Sequence, residues 1–163
     1  MKKSKTLKQK IINRDITIGS WITIGNNAIA EILANADFDW LVVDLEHTTI
    51  SLDQAGELIR TIELTGVSSL VRLTSNDENQ IKRIMDAGAQ GIVVPMVKNA
   101  DDAMRAIAAT RYPPLGNRGV GLARAQQYGS SFKEYLAWQS DINSGPVVIV
   151  QIEHIDAVDN LRE

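Results

Sequence analysis

Trp40-Leu41-Val42-Val43-Asp44-Leu45-Glu46-His47 is the stretch whose reading decides the fold. Apolar and β-branched residues run without a break into two carboxylates and an imidazole. A strand covered on both faces reads as such a continuous run, because helices pack on a parallel sheet. Sheets of that kind carry their chemistry just past the carboxyl ends of the strands. Asp44, Glu46 and His47 stand at that place. A single strand of this type can also end in a plain solvated turn, so the weight lies on whether the pattern recurs.

It does recur. Upstream, Lys5 to Asn13 reads as a short amphipathic helix with a basic face, and Ile16 to Thr23 as a first strand closed by Gly25-Asn26-Asn27. Ala28 to Ala36 repeats apolar residues at helical spacing before the Trp40 to Asp44 strand. Downstream, Ser51 is an N-cap for a helix through Thr65, with Leu52, Ala55, Leu58, Ile59 and Ile62 on one face and Gly66 as its stop. Leu70 to Leu73 is a third strand. Asn76-Asp77 opens a helix through Ala87 that Gly88 stops, and Gly91 to Val94 is a fourth strand cut by Pro95. Ala100 to Thr110 is helical, Tyr112 to Gly121 is a polar, glycine-rich loop, and Ser131 to Ile142 is helical again. Pro146 opens a fifth strand, Val147 to Ile152, and an uncapped amphipathic helix follows from Ile155 to Leu161. Strands alternating with helices in this way predict βα units and a parallel sheet, either a barrel or a doubly wound sheet.

Composition sets outer bounds. The chain has 163 residues, enough for one domain with a real core. Hydrophobic content of 44%, charged content of 23% and a net charge of -3 describe a water-soluble globular protein. A dedicated nucleic-acid binder would carry a basic stripe with interleaved aromatics, so no nucleic-acid partner is expected. No apolar run approaches the roughly 18 residues of a membrane span. The basic start, Met1 to Lys10, is not followed by the apolar segment of a secretory signal. The chain has no cysteine, which excludes disulfides, thiolate metal sites and cysteine nucleophiles and fits a cytoplasmic location.

The strand ends supply the candidate chemistry. Glu153, after Gln151, can offer oxygen to a hard divalent cation, although most strand-end glutamates are simply solvated. Arg72 offers a planar fork suited to a carboxylate or a developing enolate; its plain alternative is an ion pair with a neighbouring acid. His47, three residues past Asp44, lies within reach of a hydrogen bond that would orient the ring. Asp86 closes a helix where its charge opposes the dipole, which hints at a role. Lys98, after the fourth strand, is a solvated lysine or a Schiff-base nucleophile. Gly116-Asn117-Arg118-Gly119-Val120-Gly121 lacks the Lys-Ser/Thr of a P-loop and reads as loop architecture near the site.

Taken together and in order, Gly19-Ser20-Trp21, Asp44-Leu45-Glu46-His47, Val71-Arg72-Leu73, Met85-Asp86-Ala87-Gly88-Ala89-Gln90-Gly91-Ile92-Val93-Val94-Pro95, Tyr112-Pro113-Pro114-Leu115-Gly116-Asn117-Arg118-Gly119 and Gln151-Ile152-Glu153 resemble the HpcH/HpaI aldolase family. The resemblance implies a (β/α)8 barrel of the TIM type and a divalent metal, magnesium or manganese. It also implies reversible aldol cleavage of a 2-keto-3-deoxy or 4-hydroxy-2-oxo acid to pyruvate and an aldehyde, in a homo-oligomer that is a hexamer in the intact family. Carried over by position, His47 is the base, oriented by Asp44 and Asp86. Arg72 holds pyruvate and its enolate, Glu153 ligates the metal beside Gln151, and Trp21 lines the site.

Proteins that the chain resembles run on with a further metal-binding aspartate about one βα unit later. The expectation is therefore a single partial barrel domain over residues 1–163, about the first five βα units. Two other readings stand beside the metal-dependent aldolase. One is a Schiff-base lyase using Lys98, which a borohydride-trapped pyruvate adduct would reveal. The other is a catalytically impaired barrel acting in oligomerisation or binding.

Overall fold

The computed structural model describes residues 5–162; Met1 to Ser4, the first part of the basic start, and Glu163 lie outside the described residues. Five strands form one parallel sheet in the order of the sequence: β1 (Gly19–Ile22), β2 (Trp40–Asp44), β3 (Ser68–Arg72), β4 (Gly91–Val94) and β5 (Val147–Val150). The helices are α1 (Leu7–Ile12), α2 (Asn27–Ala34), α3 (Leu52–Thr65), α4 (Glu78–Ala87), α5 (Ala100–Thr110), α6 (Phe132–Ser140) and α7 (Ile155–Asp159). A doubly wound sheet reverses its strand order at a switch point. This one does not reverse, so its βα units are wound in one sense, as in a (β/α)8 barrel. Among the described residues β1 pairs only with β2 and β5 only with β4, which leaves the sheet open.

Local chemistry sets the helix ends. Ser51 Oγ accepts from the Gln54 N–H while Gln54 Oε1 accepts from the Ser51 N–H, a capping box that starts α3. Asp77 accepts from the Gln80 N–H at the start of α4. Gly66 and Gly88, at φ 87° and 107°, end the two helices in a left-handed conformation open to glycine.

Elsewhere the boundaries differ from expectation for identifiable reasons. β1 is shorter than Ile16 to Thr23: its pairing with β2 runs only from Gly19 opposite Trp40 to Ile22 opposite Val43, and Ile16, Ile18 and Ile24 are exposed. β5 stops at Val150, opposite Val94: the Gln151 N–H still donates to the Val94 carbonyl (2.9 Å), but the next donor on the β4 side, the Met96 N–H, turns to the Glu153 carboxylate. Between the polar loop and α6 lies a 3-10 segment, Arg124–Gly129, in which Gln127 and Tyr128 take positive φ. No hydrophobic period announces it. The last helix ends at Asp159, not Leu161, and it is capped: His154 Nδ1 accepts from the Asp156 N–H.

Alternation along the strands sorts the core into two layers. Leu41 and Val43 of β2 and Leu45 just past it, with Val71, Leu73, Ile92 and Val94, pack outward against Leu58, Ile59, Ile62, Ile81, Ile84 and Met85 of the helices. Val42, Leu70, Val93 and Val147 face inward with Trp40, and Leu7 of α1 closes this inner layer at the amino end. The basic face expected on α1 fastens it there: Lys8 Nζ donates to the Pro146 carbonyl (2.9 Å), and Lys10 pairs with Asp39. Because side chains alternate with a period of two, the inward face carries Trp40 and Val42 on to Asp44. In the same way it carries Leu70 to Arg72 and Val147 to Gln151. No helix among the described residues is long and apolar enough to cross a membrane.

Candidate active site

Register builds the first contact. Asp44 and Arg72 lie opposite one another in the β2–β3 ladder. Arg72 Nε donates to Asp44 Oδ1 (2.9 Å) and Nη2 donates to Oδ2 (2.7 Å), a bidentate fork. The pair is sheltered, with side-chain exposures of 14% for Arg72 and 3% for Asp44. Asp44 Oδ1 also accepts from the backbone N–H groups of Glu46 (3.0 Å) and His47 (3.4 Å). Burial alone would raise the Asp44 carboxyl; the Arg72 fork and these backbone donors overcome it and hold its pKa below the usual carboxylate range. The indole of Trp21, at the end of β1, stacks on the guanidinium with 4.7 Å between Cζ and ring centroid. Arg72 is thus gripped along one edge and across one face, which leaves Nη1 as the nitrogen that Asp44 does not take.

Two further acids surround this cation. Glu46 Oε2 lies 3.4 Å from Arg72 Nη1 and 3.9 Å from His47 Nε2. Glu153, beyond the end of β5, is near enough to Arg72 to help keep it charged. Glu153 Oε1 accepts from the Met96 N–H (2.8 Å), where Met96 takes a left-handed φ of 54° just past β4. That backbone donor has no sequence signature. Gln151 Oε1 is buried and accepts no hydrogen bond.

The structure therefore brings together Trp21, Asp44, Arg72, Gln151 and Glu153, with His47 at the rim. It does not assemble the expected dyad around His47. The ring is 72% exposed, and Asp44, which was expected to orient it, bonds instead to Arg72 and to the His47 backbone. Strand register outweighs proximity in sequence here. Asp86 is also elsewhere: its Oδ1 takes a 2.5 Å hydrogen bond from Arg118 Nη2, and among the described residues no hydrogen bond or ion pair joins it to His47 or Asp44. The orienting role expected of Asp86 has no contact behind it within this chain.

Arg118 is the residue that the loop reading passed over. Its side chain is fully buried, lies 4.8 Å from the Tyr112 ring and 5.6 Å from the Tyr135 ring, and donates to Tyr135 Oη at 2.8 Å. Its charge answers the unfavourable position of Asp86 near the end of α4. With its guanidinium so committed, Gly116 to Gly121 is architecture and not a phosphate cradle. Lys98 Nζ sits 3.4 Å from Asp156 in an exposed ion pair.

A divalent cation has two oxygen donors here. Gln151 Oε1, orphaned and buried, and the Glu153 carboxylate come from one strand end. Among the described residues no group of three or more His, Asp or Glu side chains stands ready to hold a metal. The donor set fits a hard cation that keeps much of its water shell, not a fully caged one.

Residues 17–163 match the HpcH/HpaI aldolase/citrate lyase family. The 4-hydroxy-2-oxo-heptane-1,7-dioate aldolase of Salmonella typhimurium is 44% identical over 146 residues, which are 88% of this chain and 54% of that protein. An HpcH/HpaI aldolase/citrate lyase family protein from Burkholderia cenocepacia superposes with a TM-score of 0.86 at 32% identity, over 97% of this chain and 63% of that one. The HpcH/HpaI aldolase of Desulfitobacterium hafniense superposes with a TM-score of 0.82 at 29% identity, over 97% and 61% respectively. The chain spans about half the length of the curated relatives it matches.

Proposed function

The chain belongs to the HpcH/HpaI aldolase/citrate lyase family, and on that premise we propose that its strand-end cluster is the keto-acid side of an aldehyde-lyase site. The substrate is a 4-hydroxy-2-oxo or 2-keto-3-deoxy acid, and the products are pyruvate and an aldehyde. The observation that carries this reading is Arg72, held from behind by Asp44 and Trp21 with its outer nitrogen, Nη1, not taken by Asp44.

In the cleavage direction His47 takes the proton of the C4 hydroxyl. The C3–C4 bond breaks; its electron pair becomes the C2–C3 double bond of the pyruvate enolate as C4 becomes the aldehyde carbonyl. Arg72 donates from its outer end to the substrate carboxylate and to the enolate oxygen as charge gathers there, and its preset geometry means that little must reorganise at that moment. Return of the proton to C3 completes pyruvate. Lys98, paired with Asp156, has no place in this sequence.

Glu153 and Gln151 would hold a divalent cation, magnesium or manganese, supplying Lewis-acid polarisation of the 2-oxo group. Charge balance supports the assignment. Asp44, Glu46 and Glu153 already outnumber Arg72, and a keto-acid anion adds to the excess. With two protein donors, manganese should bind with a dissociation constant on the order of millimolar. Calorimetry with manganese should show that binding in the 163-residue chain and lose it in Glu153→Gln; equal affinity in the two forms would move the cation elsewhere. Leu115, Val120, Leu122 and Tyr128, apolar and exposed around the loop that follows α5, support association with further copies of the chain.

A further inference from the structure

Glu46 is the member of the cluster without a settled partner. Its N–H is tied to Asp44 Oδ1, which fixes the main chain and keeps the side chain close to Arg72. Only 16% of that side chain is exposed, and Oε2 is buried without a hydrogen bond. A desolvated carboxylate oxygen with no donor is costly to hold. The two groups beside it, Arg72 Nη1 at 3.4 Å and His47 Nε2 at 3.9 Å, lie at ion-pair range and make no hydrogen bond to it.

Arg72, for its part, has committed Nε and Nη2 to Asp44. Nη1 is the guanidinium nitrogen that Asp44 does not take, and the group nearest to filling it is Glu46. The position beside Nη1 therefore holds a carboxylate oxygen from the protein itself, placed where an incoming carboxylate would gain most.

We infer that Glu46 is a built-in competitor for the anion position at Arg72 Nη1: a keto-acid carboxylate binds by displacing Oε2 from beside that nitrogen. This rests on the reading of Arg72 as the keto-acid clamp. Glu46 is then an affinity-setting residue, not a catalytic one. Its charge lowers the attraction of the site for any small anion and favours a ligand able to replace it with two good hydrogen bonds.

The test is pyruvate binding to the 163-residue chain and to Glu46→Gln, followed by ligand-observed NMR. Glutamine keeps the shape and volume of the side chain and removes the charge, so thermal melts of the two forms should coincide. Pyruvate should bind Glu46→Gln about three- to tenfold more tightly, the scale of removing one like charge from a partly sheltered ion pair. Glu46→Ala should move in the same direction, which structural damage would not produce. Pyruvamide, which lacks the carboxylate, should show no gain in either variant. Unchanged or weaker pyruvate binding in Glu46→Gln, with measurable binding to the unmodified chain, overturns the inference and leaves the clamp standing. A gain for pyruvamide equal to that for pyruvate also overturns it, since charge would then not be the cause. No pyruvate binding by any form overturns both, because an Arg72 that takes no carboxylate leaves Glu46 nothing to compete with.

Discussion

His47→Ala should lower turnover of a 4-hydroxy-2-oxo acid by about 10² to 10⁴, the usual contribution of a positioned general base. The loss should fall on the rate and not on the fold. The ring is largely exposed, and its one ion-pair neighbour among the described residues is Glu46 at 3.9 Å. Pyruvate release, followed in the cleavage direction by the active protein, measures the effect, and a melting curve run alongside separates it from instability. Pyruvate binding should survive, because Arg72 and Trp21 are untouched. A variant that keeps near-normal turnover would remove His47 from the role of base and leave the proton transfer to another group at the rim.

Asp44→Asn is the substitution expected to cost the most stability. It leaves the Arg72 guanidinium charged, sheltered and half-paired, and breaking one side of a buried pair typically costs about 3–5 kcal/mol. The loss should depend on pH with a definite sign. The Asp44 carboxyl is held below its ordinary pKa in the folded chain, so its stabilisation is complete above the unfolded value of about 3.9. It disappears as pH falls through the lower, folded value. Chemical denaturation at neutral pH should therefore show a wide gap between the two forms, narrowing progressively below about pH 4. A gap of the same size at pH 3 and pH 7 would mean that the fork is not what holds the carboxylate charged.

Much of the scaffold was legible because the signals were local. β2 and β4 end where their apolar runs meet an acid and a proline, and α3 and α4 begin and end on Ser51, Gly66, Asp77 and Gly88. Arg72, Gln151 and Glu153 were candidates because they stand at strand ends, and Trp21 because the family resemblance named it; alternation along the strands sets Trp21, Arg72 and Gln151 on the inward face. What linear spacing does not encode is which side chains meet across strands. Asp44 lies three residues from His47 but directly across the ladder from Arg72, and the ladder prevails. Asp86 finds its partner 32 residues away in Arg118, through a loop with no helical or strand period. The N–H of Met96 belongs to the backbone, so no residue type announces its bond to Glu153.

The central claim is that a keto acid binds at the carboxyl ends of these strands. The chain also has a polar cavity at the opposite, amino end, lined by Lys5, Lys10, Asp37, Asp39, Ser68 and Gln90 among others. Pyruvate titrated into isotopically labelled protein, with magnesium present and backbone and indole N–H signals recorded, locates the ligand directly. The account predicts that shifts centre on the Trp21 indole, on Asp44 to His47, on Arg72, and on Met96 with Gln151 and Glu153, while the amino end stays still. Shifts confined to the amino-end cavity, or none at any of the strand ends, would contradict it.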